Sequence, residues 1–150
     1  MAVQGLPLRL EANRRSSNDQ IVVSTLREIQ KAEEMYYGFN RTYTTDYAQL
    51  RNIPGVGTDL PAPSGSTAVG TTFTLTGVNP TVRVVAQNPT APLTLQDDFC
   101  FLASTPAGQY WYQVTKRGVR PRSGYPTASP PDPAYPATGA APNACRYDIY

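Results

Sequence analysis

Thirty residues from Leu8 to Tyr37 contain neither proline nor glycine, in a chain that has fifteen of the first and eleven of the second. A run of that length, rich in Leu, Arg, Glu, Gln and Ala, predicts a helix from propensity alone. Val22, Leu26, Ile29, Ala32 and Tyr36 recur at spacings of three and four, which stacks them on one face for packing against a sheet. Arg27, Lys31 and Glu34 fall opposite. Followed toward the N-terminus, the same line meets Asp19, Arg15, Ala12 and Leu8, so the apolar stripe ends near Val22. The expectation is a helix of roughly 45 Å whose C-terminal half lies on a core. Its N-terminal half, Leu8 to Ile21, projects and needs a partner or a membrane. Glu33 lies near the middle of the apolar face, where it is expected to be partly buried and paired with a basic or tyrosyl group.

Length bounds what the helix can pack on. A chain of 150 residues with 40% apolar content favours one domain with a modest core. A net charge of +2 is too small to imply nucleic acid or membrane as a general partner. The absence of histidine removes the commonest general base and metal ligand. Cys100 and Cys145 could be buried thiols or a disulfide. The Pro/Gly-rich tail around Cys145 has little else to hold it, which favours the disulfide. Closing that loop stabilises by about 4 kcal/mol on the chain-entropy argument. Such a bond implies an oxidising compartment.

After the helix, Gly38 is a natural C-cap. Thr44 or Thr45 can N-cap a short second helix, TDYAQLRN, whose Tyr47 and Leu50 face the first. Residues 38–70 read as a helix-to-sheet loop. From residue 71 the period becomes strand-like. TTFTLT, TVRVVAQ, DFCFLAS and QYWYQVT read as four strands, with Phe99 and Phe101 on one face and Cys100 and Leu102 on the other. The short Val119–Arg120 segment follows a turn and ends the sheet region, 71–120. Residues 121–143 lack periodicity and read as polyproline-like or disordered. Arg146 to Tyr150 could add a short edge strand. The predicted class is α+β: one long N-terminal helix packed on a four-stranded antiparallel sheet, with a C-terminal loop over 121–150 bounded by the disulfide, all in a single domain.

This order resembles the type IV pilins and the related pseudopilins. Pro7, Arg14, Arg15, Leu26, Arg27, Ile29, Ala32, Glu33 and Tyr36 fit the second half of the pilin helix, where a proline precedes a basic segment and a Leu-Arg-x-Ile-x-x-Ala-(Glu/Gln)-x-x-Tyr run. NRTYTTDYAQL, from Asn40 to Leu50, is similar to the piece that follows that helix. Cys100 and Cys145 sit where these pilins place the disulfide that bounds a variable C-terminal loop. The close match covers residues 7–50. The resemblance implies a structural subunit of a bacterial surface filament, without enzymatic activity or cofactor, serving adhesion, motility or DNA uptake. It implies assembly through the N-terminal helix, with Leu8, Glu11, Arg14 and Arg15 at the filament interface. Its partners would be other pilin subunits and, before assembly, an inner-membrane assembly platform, with no small-molecule substrate. The family's peptidase site and apolar first helix half are not among these residues, so the full-length form is expected to carry an N-terminal transmembrane helix. A pseudopilin of a secretion or competence machine is the alternative within the family. A secreted or periplasmic binding module is the alternative outside it.

Three chemical readings carry less weight. Asp97–Asp98 lacks further oxygen ligands spaced as in a calcium loop, so a solvated strand entry is the preferred reading. Cys100 has no base to activate it as a nucleophile. Arg117, Arg120 and Arg122 beside Tyr110, Trp111, Tyr112 and Tyr125 have the basic-aromatic composition of a single-stranded nucleic-acid surface, and some pilins bind DNA. A solvated strand end is the commoner cause of such a cluster.

Overall fold

The computed structural model describes residues 6–126 and 141–150, with side chains described at 13–122 and 141–150. Helix α1 spans Leu6–Asn40 and α2 spans Tyr47–Arg51. A 3-10 turn at Gly57–Asp59 leads to six strands: β1 Pro63–Ser64, β2 Phe73–Leu75, β3 Arg83–Gln87, β4 Cys100–Ser104, β5 Tyr110–Thr115 and β6 Gly118–Pro126. They form one sheet in the order β1-β2-β3-β4-β5-β6, every pair antiparallel. The mixture of helix and antiparallel sheet is α+β in the broad sense. The sheet is six-stranded, which corrects the expected four.

Both added strands are invisible to a periodicity search for physical reasons. β1 is two residues long, pairing Pro63 with Leu75 and Ser64 with Thr74, too short to show alternation. β6 contains Pro121 and Pro126, and proline argues against a central strand. At the sheet edge the missing N–H does no harm, and β6 pairs along β5 with Tyr112 opposite Pro121 and Gln113 opposite Arg120. Residues 121–126 therefore belong to the sheet, not to the proline-rich loop; 127–140 lie outside the described residues. Arg146 to Tyr150 forms bends and adds no strand.

Two helix ends also differ from expectation. α1 runs past Gly38 and stops where Arg41 adopts φ 59°, its N–H donating to the Tyr37 carbonyl at 2.8 Å. That is the single-bond left-handed cap, here without glycine. The N-cap of α2 is Asp46, whose carboxylate accepts from Ala48 N at 3.0 Å. Thr44 acts one step earlier, its hydroxyl oxygen accepting from Asp46 N.

The alternation of the strands splits the apolar residues into two layers. Val84, Ala86, Phe99, Phe101, Ala103 and Val114 face α1, meeting Val22, Leu26, Ile29 and Ala32, with Tyr47 and Leu50 of α2 closing the end. Phe73, 2% exposed, stacks on Tyr47 with centroids 5.1 Å apart. A smaller cluster of Val85, Cys100, Leu102 and Trp111 lies on the opposite face, covered by Cys145, Ala141 and Tyr147 of the C-terminal segment. The sheet is thus buried on both faces, by the helix on one and by the returning chain end on the other.

Candidate interaction surface

The tip of the β4–β5 hairpin turns back on α1. A tight turn leaves backbone N–H and carbonyl groups unpaired by strand ladders, so its docking partner must be polar. α1 supplies three such groups within little more than one turn. Asp19 accepts from Gln109 N at 3.0 and 3.2 Å and from the Tyr112 hydroxyl at 3.0 Å. Asn18 donates to the Ala107 carbonyl at 2.9 Å and Arg15 to the Gly108 carbonyl at 3.4 Å. Burial pushes the Asp19 carboxyl above its ordinary range, and the Gln109 and Tyr112 bonds partly offset this. Gly108 is required here, because a Cβ would strike the Asp19 carboxylate. The docked length of α1 therefore reaches back from Val22 to Arg15, a correction to the expectation that everything before Val22 stands clear. The helix axis continues N-terminally through Leu6, with Asn13 and Arg14 exposed.

Glu33 is fully buried between α1 and the segment leading to α2. One carboxyl oxygen accepts from Thr44 N at 2.9 Å; the other has no partner among the described residues. Its partner is a backbone amide, not the expected basic or tyrosyl group. Burial, reinforced by the Asp98 charge, raises its pKa to about 8. Asp98 is itself buried, not the solvated residue expected, and accepts from Lys116 N and Phe99 N at 2.9 and 2.8 Å. Asp97 instead caps a turn through Thr94 N at 2.8 Å.

The chain end is fastened at one point by covalent and polar means together. Cys100 and Cys145 form a disulfide, with Cα atoms 5.9 Å apart. Beside it, the Gln113 amide donates to the Arg146 carbonyl at 2.6 Å and to the Tyr150 hydroxyl at 3.0 Å. It accepts from Arg146 N at 2.7 Å and from Arg122 at 3.1 Å. Arg122 also donates to the Ala144 carbonyl at 2.7 Å.

These contacts disperse the basic-aromatic cluster. Trp111 is 1% exposed, with the Arg83 guanidinium 4.9 Å from its ring centroid. Arg122 is 8% exposed and Tyr112 faces the helix. Tyr110 is half-buried at the start of β5. Arg117 and Arg120 remain exposed, Arg117 reaching the Tyr147 carbonyl and Arg120 lying over the Tyr150 ring. The side chain of Tyr125 lies outside the described residues, as do those of Leu8 and Glu11. No continuous basic-aromatic face forms among the described residues, because the C-terminal segment occupies the ground it would need.

A groove the sequence does not announce runs along α1 on the side away from the hairpin. It is open, about 310 Å³, and lined by Gln20, Ile21, Ser24, Thr25 and Glu28 of the helix and by Asp59 and Pro61 of the facing loop. The loop is held in place by the Tyr47 hydroxyl, donating to the Pro61 carbonyl at 2.7 Å, and by Arg51, donating to the Leu60 carbonyl at 3.3 Å. Gly57 lets that loop approach, since a Cβ would collide with the carbonyls of Leu50 and Arg51.

Among the described residues, no group of three His, Cys, Asp or Glu side chains could hold a metal ion, and no helix is long and apolar enough to cross a membrane. A scan against protein-family models and a search of curated proteins both find no match.

Proposed function

We propose that the chain is the head portion of a type IV pilus-like filament subunit, assembling through its N-terminal helix. The observation that carries this reading is the asymmetry of α1. It spans 35 residues, and the contact with the sheet nearest its N-terminus among the described residues is Arg15 to Gly108. The helix continues beyond that contact for about 13 Å to Leu6. The two-sided sheet and the disulfide-fastened chain end support a rigid head that faces outward on such a filament. The resemblance of residues 7–50 to the pilin helix is consistent with this.

The test is negative-stain imaging of cells with and without the gene, with gold-labelled antibody raised against the purified chain. Labelled surface filaments that vanish on deletion are expected. Unlabelled filaments that persist unchanged overturn the reading. Loss of protein export without loss of surface filaments assigns the subunit to a pseudopilus.

A further inference from the structure

Glu33 lies under a thin cover. Its side chain is wholly buried, and the α1–α2 linker closes over it at Thr44. One carboxyl oxygen accepts from Thr44 N at 2.9 Å, and the other has no partner among the described residues. A neutral acid is tolerated in such a place. An anion with one donor, near the buried Asp98 carboxyl, is not, unless water reaches it. The walls around Glu33 differ in strength. α1 and β4 are held by helix and sheet hydrogen bonds. The linker, from Arg41 to Asp46, belongs to neither helix nor strand. Apart from Thr44 N, it is tied to the sheet side through the Leu95 carbonyl, which accepts from Tyr43 N at 2.8 Å and from the Thr42 hydroxyl at 3.2 Å. The Tyr43 ring adds packing on Tyr37 and Phe99, with centroids 4.7 and 5.0 Å apart. Leu95 itself lies in a turn. A segment with so few ties opens before a helix or a central strand does.

The geometry points to a proton-operated latch: the protonated Glu33 carboxyl holds the Arg41–Asp46 linker down on α1, and loss of the proton lifts the linker so that water reaches the carboxylate. The surroundings agree with that direction. Asp98, at the entry to β4, is the charge that acts on Glu33 among the described residues, and it disfavours ionisation. The linker brings Tyr43 to the same place, where burial pushes its hydroxyl further above the ordinary range, beside Tyr37 and Glu34 of α1. From the β5–β6 turn only the backbone N–H of Lys116 enters, donating to Asp98, while the lysine side chain is exposed. α2 turns its Tyr47 hydroxyl away, to the Pro61 carbonyl. Lifting the linker gives up the Thr44 and Leu95 bonds and draws Tyr43 off Phe99, while the sheet and its disulfide keep their own contacts. The latch is independent of the filament reading and stands or falls without it.

The experiment is brief trypsin digestion of the whole oxidised chain at a series of pH values, read by mass spectrometry at the Arg41–Thr42 bond. Arg41 is exposed, but a protease needs several residues in extended form, so early cutting there follows the population of lifted linker. Cutting at Arg83, within β3, reports opening of the sheet and serves as the control. Each rate is divided by that of Glu33→Gln at the same pH, which cancels the pH profile of trypsin. The lifted form ionises in the ordinary carboxyl range, near 4.5, and the closed form at about 8. Opening therefore gains up to about tenfold per pH unit between those values and levels above them. The wild-type ratio at Arg41 is expected to rise at least about tenfold from pH 6 to pH 8, ahead of any cutting at Arg83. Asp98→Asn removes the neighbouring charge and keeps an acceptor, so its cutting at Arg41 should level off at a lower pH than that of wild type. A wild-type profile parallel to that of Glu33→Gln overturns the latch, as does cutting at Arg41 that rises only in step with Arg83. Near-ultraviolet circular dichroism checks that each variant is folded. Should Glu33→Gln not fold, the wild type and Asp98→Asn decide between them, and superimposed profiles overturn the latch.

Discussion

The Asp19 carboxylate receives the backbone N–H of Gln109 at 3.0 Å, across 90 residues of sequence. This bond, with that from Tyr112, joins the helix to the hairpin where neither offers an apolar surface. Replacing Asp19 with Ala leaves a half-buried amide and a half-buried hydroxyl without their acceptor, which costs about 1–3 kcal/mol. Asp19→Asn keeps an acceptor and is expected to cost about 1 kcal/mol. Urea unfolding followed by fluorescence of the single tryptophan measures both; an Asp19→Ala midpoint equal to wild type contradicts the docking role.

Glu33 gives the fold a pH dependence of defined sign. Its carboxyl titrates near 8 in the fold against an ordinary 4.5, because burial and the Asp98 charge disfavour ionisation. The unfolded chain thus releases this proton first. Glu33 stabilises the fold fully below pH 4.5, and that contribution is lost as pH rises through about 8. Asp19, also raised by burial, acts in the same direction from its own lower starting point. Stability measured by urea across that window, from pH 4.5 to just above 8, is expected to fall for the wild type. The Glu33→Gln variant, which keeps an acceptor for Thr44 N, should show a markedly flatter curve. Parallel curves would show that Glu33 is ionised throughout.

Breaking the disulfide removes a constraint on 45 residues of chain. The Cys100→Ser/Cys145→Ser variant is expected to lose about 4 kcal/mol. Because Cys145 helps cover Val85, Leu102 and Trp111, the loss should include exposure of tryptophan, read as a red shift of its emission. A thermal midpoint indistinguishable from wild type would show that polar contacts alone hold the segment.

Gln113 satisfies all its amide capacity with the returning segment and Arg122. Gln113→Ala leaves the Arg146 amide without its acceptor and removes one of the bonds of the Arg122 guanidinium, which keeps Ala144, at about 1–3 kcal/mol. With the disulfide intact, the damage should stay local. Hydrogen exchange is the measurement: faster exchange at Arg146 with unchanged protection in β4 is expected, and uniform acceleration would place Gln113 in the global fold instead.

What the sequence reveals follows from which forces leave a period. Val22, Leu26, Ile29 and Ala32 are wholly buried, and a helix writes such a face as spacings of three and four. Phe99/Phe101 and Cys100/Leu102 divide between the two layers as a two-residue period dictates. The disulfide is legible because an aperiodic tail with a cysteine needs tethering. Asp19 is misread because a charged residue on an apolar line looks like the end of an interface. The hairpin tip that wants its carboxylate belongs to a part of the chain no local window contains. Trp111 and Arg122 read as surface for a similar reason: what buries them arrives from the C-terminal segment that carries Ala141, Cys145 and Tyr147. The groove depends on the placement of Asp59 and Pro61, loop residues without any period.

The strictly consecutive strand order has a consequence for how the molecule is made. Each strand can pair as soon as its predecessor exists, so the sheet can grow in the direction of synthesis. The helix that emerges first is in the opposite position. Asp19 must wait for Gln109, and Cys100 for Cys145, until most of the chain has been added. A nascent chain therefore carries Val22, Leu26 and Ile29 uncovered through most of its elongation. Any partner that shields an amphipathic helix during synthesis has that interval in which to act.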